Sequence, residues 1–335
     1  VSCAQTYLEG TAGPYHDIVD YILGITHEIW ESRQVERIRD YYAADTVIYT
    51  LDGIVRGADA VIANTYDTLR AFPDRLLLGD AVIWSREAPG LFYSSHRISS
   101  PMTNRAPSPF GPATGKSVWV ATIADCLVDQ GVITREWLVR DNYALVTQLG
   151  LDPLDVARRG VSAPLSPDFA HWLRLESARL ADLPRAGAPA AVSFTDTDPG
   201  TFAAAVLANA WLHDDAQSYE RQYAPYAVLH DSRPVASGRA QIAEYHGAQR
   251  RALADVSLSV DHLCVRPLDD DRREIAVRWM LRGVHRAPWL GLEATGVPIL
   301  LLGVTHWRVV AGRIAAEWTL YDRLAVLAQM LRAGR

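Results

Sequence analysis

The chain has 335 residues, about half apolar (49%) and 21% charged, which excludes disorder, collagen and coiled coil and suits two globular domains. A net charge of -6 gives phosphate backbones and anionic lipid no general electrostatic reason to bind, so neither nucleic acid nor a membrane is expected as a partner. The apolar run from Val297 to Leu302 is far short of a bilayer span, no signal-like segment opens the sequence, and the three cysteines are scattered; a cytoplasmic location follows as the expectation.

Taken in chain order, Ile18, Ile22, Ile25 and Ile29 recur at helical spacing, and Val35, Ile38 and Tyr42 continue that spacing on a second short helix. Thr46 to Thr50 is β-branched and aromatic and reads as a strand, followed by a helix over Gly57 to Leu69. Four longer strands are expected at Arg75 to Ser85, Leu91 to Ser99, Lys116 to Val128 and Val132 to Arg140, the last two joined by a tight hairpin at Asp129-Gln130-Gly131. The segment from Leu151 to Pro199 is rich in Pro, Ala and Asp, and predicts a linker with one helix near Asp168 to Leu183.

The pattern then starts again. At a constant offset of 181, Trp30 matches Trp211, Tyr42-Ala43 matches Tyr223-Ala224, Gly57 matches Gly238, and Arg105-Ala106-Pro107 matches Arg286-Ala287-Pro288. The same register carries Ala113-Thr114-Gly115 onto Ala294-Thr295-Gly296, Glu136-Trp137 onto Glu317-Trp318, Asp141 onto Asp322 and Gln148 onto Gln329. Two copies of one domain are therefore expected, residues 1–150 and 199–335, with a linker over 151–198. Helices lead and a mostly antiparallel sheet follows, an α+β order; the expected form is two tandem cone-shaped α+β barrels, each a curved sheet wrapped around N-terminal helices with a cavity at its mouth.

The segments Gly131-Val-Ile-Thr-Arg-Glu-Trp-Leu-Val-Arg-Asp141 and Gly312-Arg-Ile-Ala-Ala-Glu-Trp-Thr-Leu-Tyr-Asp322 resemble the closing strand of SnoaL-like polyketide cyclase domains, in the nuclear transport factor two-like superfamily. Arg282-Gly283-Val284-His285 resembles a further strand motif of that group. The resemblance implies a fold more than a reaction, because the superfamily includes isomerases, dehydratases, hydrolases, cyclases and binding proteins. The aspartate serving as acid and base in the aldol cyclases falls on Leu138 and Thr319, neither able to move a proton, although Asp141 and Asp322 of that motif are present. The general-base aspartate of ketosteroid isomerases falls on Thr50 in copy one and on Asp231, beside His230, in copy two.

The strands themselves offer ionisable candidates, since such groups on the wall of an apolar cone are costly unless paired or used. A two-residue turn at Ala311-Gly312 would set His306 opposite Glu317, and the equivalent turn would set Asp125 opposite Glu136; a bulged loop would slip the register and separate each pair. His96 lies in a polar strand run, beside Arg97, whose counterpart is Arg278. The candidate catalytic residues are thus His96, Asp125 and Glu136 in copy one and Asp231, His285 and His306 in copy two. Candidate substrate contacts are Tyr49, Arg97, Trp119, Asp141, Arg278, Trp289 and Glu317, with Trp119 and Trp289 chosen because they do not recur between copies. For His96, Arg97, Arg278 and His285 a structural role competes with the functional one, and His27, His213 and His246 read as structural or solvated.

Gly111 to Ser117 lacks the spacing of a phosphate loop, and no residue set has metal-ligand spacing, so neither metal nor organic cofactor is expected. The expected activity is cofactor-independent acid-base chemistry, as an isomerase, lyase or hydrolase, on a small, partly apolar carbonyl, ester or hydroxyl compound, with copy one the better placed. The alternative is a binding or assembly module without turnover. The two copies would pair as an intrachain pseudo-dimer, with a further homodimer open.

Overall fold

In the computed structural model, which describes residues 15–184, 187 and 190–332, the chain divides into two units, Val1–Val156 and Ala157–Arg335. In unit 1, Asp17 caps α1 (Ile18–Thr26) by accepting a 2.8 Å bond from Asp20 N–H, and the spaced isoleucines and Tyr21 are buried along one face. A π-helical turn (His27–Glu31) keeps Ile29 turned inward before a 3-10 turn (Val35–Arg37) and α2 (Ile38–Tyr41). The β-branched and aromatic run continues as β1 (Tyr42–Tyr49), so Tyr42 begins a strand where a helix was expected, and the short β2 (Ile54–Arg56) carries no sequence signal of its own. Then follow α3 (Ala58–Ala71), β3 (Leu78–Ala88), β4 (Leu91–Thr103), β5 (Ser117–Asp129), β6 (Val132–Arg140) and α4 (Asn142–Gln148).

Two helices occupy the segment between the sheets, α5 (Pro153–Gly160) and α6 (Pro167–Ala181), where one was expected. Unit 2 repeats the plan with α7 (Pro199–Trp211), α8 (Ala216–Gln222), β7 (Tyr223–His230), β8 (Pro234–Ser237), α9 (Arg239–Arg250), β9 (Leu253–Pro267), β10 (Arg272–His285), β11 (Pro298–Val310), β12 (Arg313–Tyr321) and α10 (Arg323–Arg332).

The strand orders are β2-β1-β6-β5-β4-β3 and β8-β7-β12-β11-β10-β9, so one topology is used twice. Each sheet is mixed, because β1 runs parallel to β6 and β7 parallel to β12, and the other pairings are antiparallel. The tandem α+β expectation holds, but neither sheet closes into a barrel. The edge strands β2 and β3 bound an open sheet in unit 1, as β8 and β9 do in unit 2, and helices rather than strands cover the hollow side. Tyr21 links helix to sheet: its ring is buried, worth about 2 kcal/mol, and its hydroxyl donates a 2.8 Å bond to Gly131 C=O in the closing turn.

The hairpin turns are two residues long. Gln130 (φ 48°) and Gly131 (φ 81°), like Ala311 (φ 46°) and Gly312 (φ 77°), occupy the left-handed region that such turns demand. Beyond each turn, however, the closing strand carries a bulge. In β6, Val128 pairs with Ile133 but Leu127 with Arg135, leaving Thr134 unmatched; in β12, Val309 pairs with Ile314 but Arg308 with Ala316, leaving Ala315 unmatched.

Candidate active site

The bulges decide which side chains meet. Glu136 lies opposite Cys126 and Asp125 opposite Trp137; Glu317 lies opposite Trp307 and His306 opposite Trp318. The expected Asp125/Glu136 and His306/Glu317 pairs therefore do not form, because one extra residue moves each glutamate to the face opposite its intended partner. Ile133 and Glu136, three apart, share the hollow face of unit 1, whereas Asp125 and His306 are buried on the other face of their sheets.

On the hollow side of unit 1 is a cavity of ≈ 500 Å³, within the range of small-molecule sites. Its apolar wall includes Ile22, Ile25, Ile29, Val61, Ile98 and Leu138. The strand registers place the hollow-face residues in rows across β4, β5 and β6: Ser94, Cys126 and Glu136; then His96, Ala124 and Leu138; then Ile98, Thr122 and Arg140. His96 and Glu136 are one row and two strands apart, about 12 Å between Cα atoms from ordinary sheet spacings. Their side chains face a shared space without touching.

Both groups are buried, at 3% and 4% exposure. Burial pushes the Glu136 carboxyl up to about 7, against the opposing pull of a 3.0 Å hydrogen bond from Tyr42 Oη and the charge of Arg140. Burial likewise pushes the His96 imidazole down to about 4, so it is neutral at pH 7. Its Nε2 has no hydrogen-bond partner among the described residues, and neither does Thr122 Oγ1 in the next row. A neutral imidazole and a carboxyl that titrates near neutrality form a competent acid-base set.

Unit 2 keeps the glutamate and loses the space. The repeat turns His96 into Val277, Ile98 into Trp279, Cys126 into Trp307 and Arg140 into Tyr321. Trp279 packs against Trp211 (5.4 Å between ring centroids) and Tyr321 (6.3 Å), and Phe202 packs against Trp307 (6.2 Å). Gly303, which replaces Thr122, is what allows this: a Cβ there would lie 2.1 Å from the Trp279 ring. Glu317 is tied into a buried network, accepting 2.6 Å from Thr319 Oγ1 and a bond from Tyr223 Oη, with His246 Nε2 at 3.5 Å. Burial raises the Glu317 carboxyl, but the contacts with His246, Thr319 and Tyr223 outweigh it and leave it below its ordinary range.

The other sequence candidates lie elsewhere. Tyr49 stacks on Trp137 at 5.6 Å, and its repeat counterpart His230 stacks on Trp318 at 5.1 Å, away from the hollow face. Arg97 and Arg278 are buried on that same opposite face. Asp231 pairs with Arg323 at 3.1 Å. His285 Nδ1 lies 3.0 Å from Thr295 Oγ1, the loop-holding position that Asn104 fills in unit 1 by accepting from Thr114 N–H at 2.8 Å. Asp141 caps α4, accepting from Ala144 N–H at 3.1 Å, and Trp289 packs on Tyr321 at 6.4 Å. Trp119 is 48% exposed on a separate open groove with Asp74 and Gln148.

Of the copy one catalytic set, then, His96 and Glu136 reach one cavity and Asp125 does not. Tyr42, Arg75, Thr122 and Arg140, none of them an evident acid-base candidate in the sequence, also line that cavity. For Tyr42 a signal existed, since Tyr42 and Tyr223 recur at the 181-residue offset and each donates to the glutamate 94 residues on. Among the described residues no cluster of His, Cys, Asp and Glu could hold a metal, and no helix is long and apolar enough to cross a membrane.

The family model described as SnoaL-like polyketide cyclase matches residues 201–330. No curated protein matches the chain. Among solved structures, IdmH from Streptomyces antibioticus is 22% identical, with 40% of this chain and 98% of that chain covered and a TM-score of 0.35. AclR from Streptomyces galilaeus is 19% identical (40% and 95% covered, TM-score 0.34), and a SnoaL-like polyketide cyclase from Agrobacterium tumefaciens is 17% identical (39% and 97% covered, TM-score 0.33). Residues 201–330 thus match the SnoaL-like polyketide cyclase model, and the first unit repeats the same sheet order in tandem.

Proposed function

We propose that unit 1 is a cofactor-independent acid-base enzyme that moves a proton at the carbon next to a carbonyl of a small, partly apolar compound, leading to isomerisation or ring closure. The observation that carries the reading is Glu136, a buried carboxyl titrating near 7 on the wall of a mainly apolar cavity, facing an unpartnered neutral His96. The Glu136 carboxylate removes the proton, and the C–H electron pair passes through the new C=C bond onto the carbonyl oxygen. The neutral imidazole of His96 donates its N–H to that oxygen as charge develops. Glu136, now a carboxylic acid, returns the proton to a second carbon, or the enolate carbon attacks another carbonyl of the same molecule and Glu136 gives its proton to the alkoxide that forms, regenerating the carboxylate.

Tyr42 positions the glutamate and limits how far burial raises its pKa. Leu138, where the aldol cyclases carry their aspartate, contributes hydrocarbon wall, so Glu136 one row along takes over the proton. Unit 2, with its hollow filled by Trp279, Trp307 and Tyr321, serves as the non-catalytic binding or assembly half of the chain.

Deuterium uptake from D₂O into a panel of 1,3-diketones and β-keto esters, followed by NMR, tests the proposal. The chain should accelerate exchange for at least one compound. Glu136→Gln should then lose on the order of 100-fold and His96→Asn 10-fold or more, while Glu317→Gln keeps the parent rate. Exchange that survives both unit 1 substitutions unchanged would exclude this site.

A further inference from the structure

Arg75 is 3% exposed, yet among the described residues no carboxylate reaches it. Its Nε donates a 3.0 Å bond to Ser100 Oγ, and its guanidinium lies 4.8 Å over the Trp30 ring. Among the described residues Arg140, the other guanidinium lining the cavity, forms no ion pair at contact distance, and its Nε has no hydrogen-bond partner. The like charges of Arg140 and Arg33 add to burial in disfavouring the charged form of Arg75. Of the acidic groups lining the cavity, Asp52 is engaged by Thr50 and Asp67 by Arg70 at the surface, and Glu136 is four residues from Arg140 along β6, about 13 Å between Cα atoms, so that it feels the charge of Arg140 without forming an ion pair with it.

Two cations gathered at one end of a mainly apolar cavity, with no carboxylate in contact among the described residues, suit an anion. The repeat shows that the fold does not require them: the positions equivalent to Arg75 and Arg140 in unit 2 are Val256 and Tyr321, and Thr122 becomes Gly303. Both arginines are present where the hollow is open and absent where it is filled.

We infer that the unit 1 cavity takes a substrate bearing a carboxylate, held by Arg75 and Arg140 with Thr122 at the end remote from Glu136. The inference rests on this cavity being the reaction site proposed above and adds the charge and polarity of what enters it. The planar guanidinium fork suits the two oxygens of a carboxylate, and the intervening Ile98 and Leu138 suit a hydrocarbon body. Anchored there, the acid leaves its far end between His96 and Glu136. A carboxylate at one end and an enolisable carbonyl at the other is the implied pattern.

Isothermal titration calorimetry on the whole chain with 2-naphthoate, 2-naphthamide and 2-naphthyl phosphate separates the alternatives. The carboxylate should bind at least tenfold more tightly than the amide. Arg140→Gln, at a half-buried position, should erase that preference while leaving amide affinity within twofold. Arg75→Met should behave alike, with circular dichroism reporting whether its fold is intact. Glu136→Gln should retain the preference for carboxylate even where proton exchange is lost, so a failed reaction and a failed anion site are told apart. Equal affinity for acid and amide, no binding of the acid, tighter binding of the phosphate, or an Arg140→Gln loss shared by acid and amide would each overturn the inference.

Discussion

His96 and Glu136 should leave opposite marks on stability as pH changes. The folded-state pKa of Glu136 rises from 4.5 to about 7, so its contribution is complete below pH 4.5 and is lost as pH climbs through 7. That of His96 falls from 6.5 to about 4, so its contribution is complete above pH 6.5 and is lost as pH drops through 4. Each displacement spans about two and a half pH units, and at about 1.4 kcal/mol per unit each group carries about 3 kcal/mol. Between pH 4.5 and 6.5 the folded chain holds one more proton than the unfolded chain at Glu136 and one fewer at His96, and the two slopes cancel. Removing one group should uncover the other. Relative to the parent chain, Glu136→Gln should gain up to about 3 kcal/mol as pH rises from 4.5 to 8, and His96→Asn should gain a similar amount as pH falls from 6.5 to 4. Urea denaturation of parent, single and double variants at half-unit intervals gives the difference curves. Parallel curves for parent and Glu136→Gln, or a slope of the opposite sign, would refute the assignment of a burial-raised carboxyl at this position.

Refilling unit 1 after the fashion of unit 2, with Ile98→Trp and Thr122→Gly together, should abolish naphthoate binding while the chain stays folded; retained calorimetric heat would count against the cavity as the binding site. In unit 2, Trp279→Ala should cost about 3 to 5 kcal/mol by leaving a void among Trp211, Thr305 and Tyr321, read as a lower urea midpoint. Tyr42→Phe should raise the Glu136 pKa further, because it deletes a bond that favours the carboxylate, and a ¹³C-detected carboxyl titration would show the midpoint moving up. His285→Asn should change stability by less than about 1 kcal/mol, since Asn104 performs the same loop-holding task in unit 1; a larger loss would point to a separate role for the imidazole.

Much of the architecture was legible because repetition and periodicity report backbone geometry directly. The offset of 181 residues survives into paired features such as Gly57 and Gly238, both left-handed, and Tyr42 and Tyr223, both bonded to a glutamate. His96 and Glu136 were also legible, as ionisable groups in strands that otherwise require hydrocarbon. The two misplaced pairs share one cause. Thr134 and Ala315 have no residue signature of a bulge, so a strict two-residue alternation carried the hairpin arithmetic past them and set Asp125 and His306 on the wrong face. Arg75 was invisible for another reason: at the expected start of a strand it looks like any solvated arginine, and its burial is created by Trp30 and Ser100, distant in sequence. The fate of unit 2 was only half visible, since the repeat displays Trp279 against Ile98 and Gly303 against Thr122, but only register reveals that the tryptophan and the glycine sit opposite one another.

Because the unmatched residue occurs at the same place in both closing strands, each glutamate's orientation is governed by how many residues separate it from the turn, and only secondarily by what those residues are. Phase, in other words, is a one-bit setting written in chain length. Inserting one residue between Ile133 and Thr134, with no second bulge to absorb it, would set Glu136 opposite Asp125 and bring Arg135 round opposite Cys126, disarming the pocket without substituting a single group inside it.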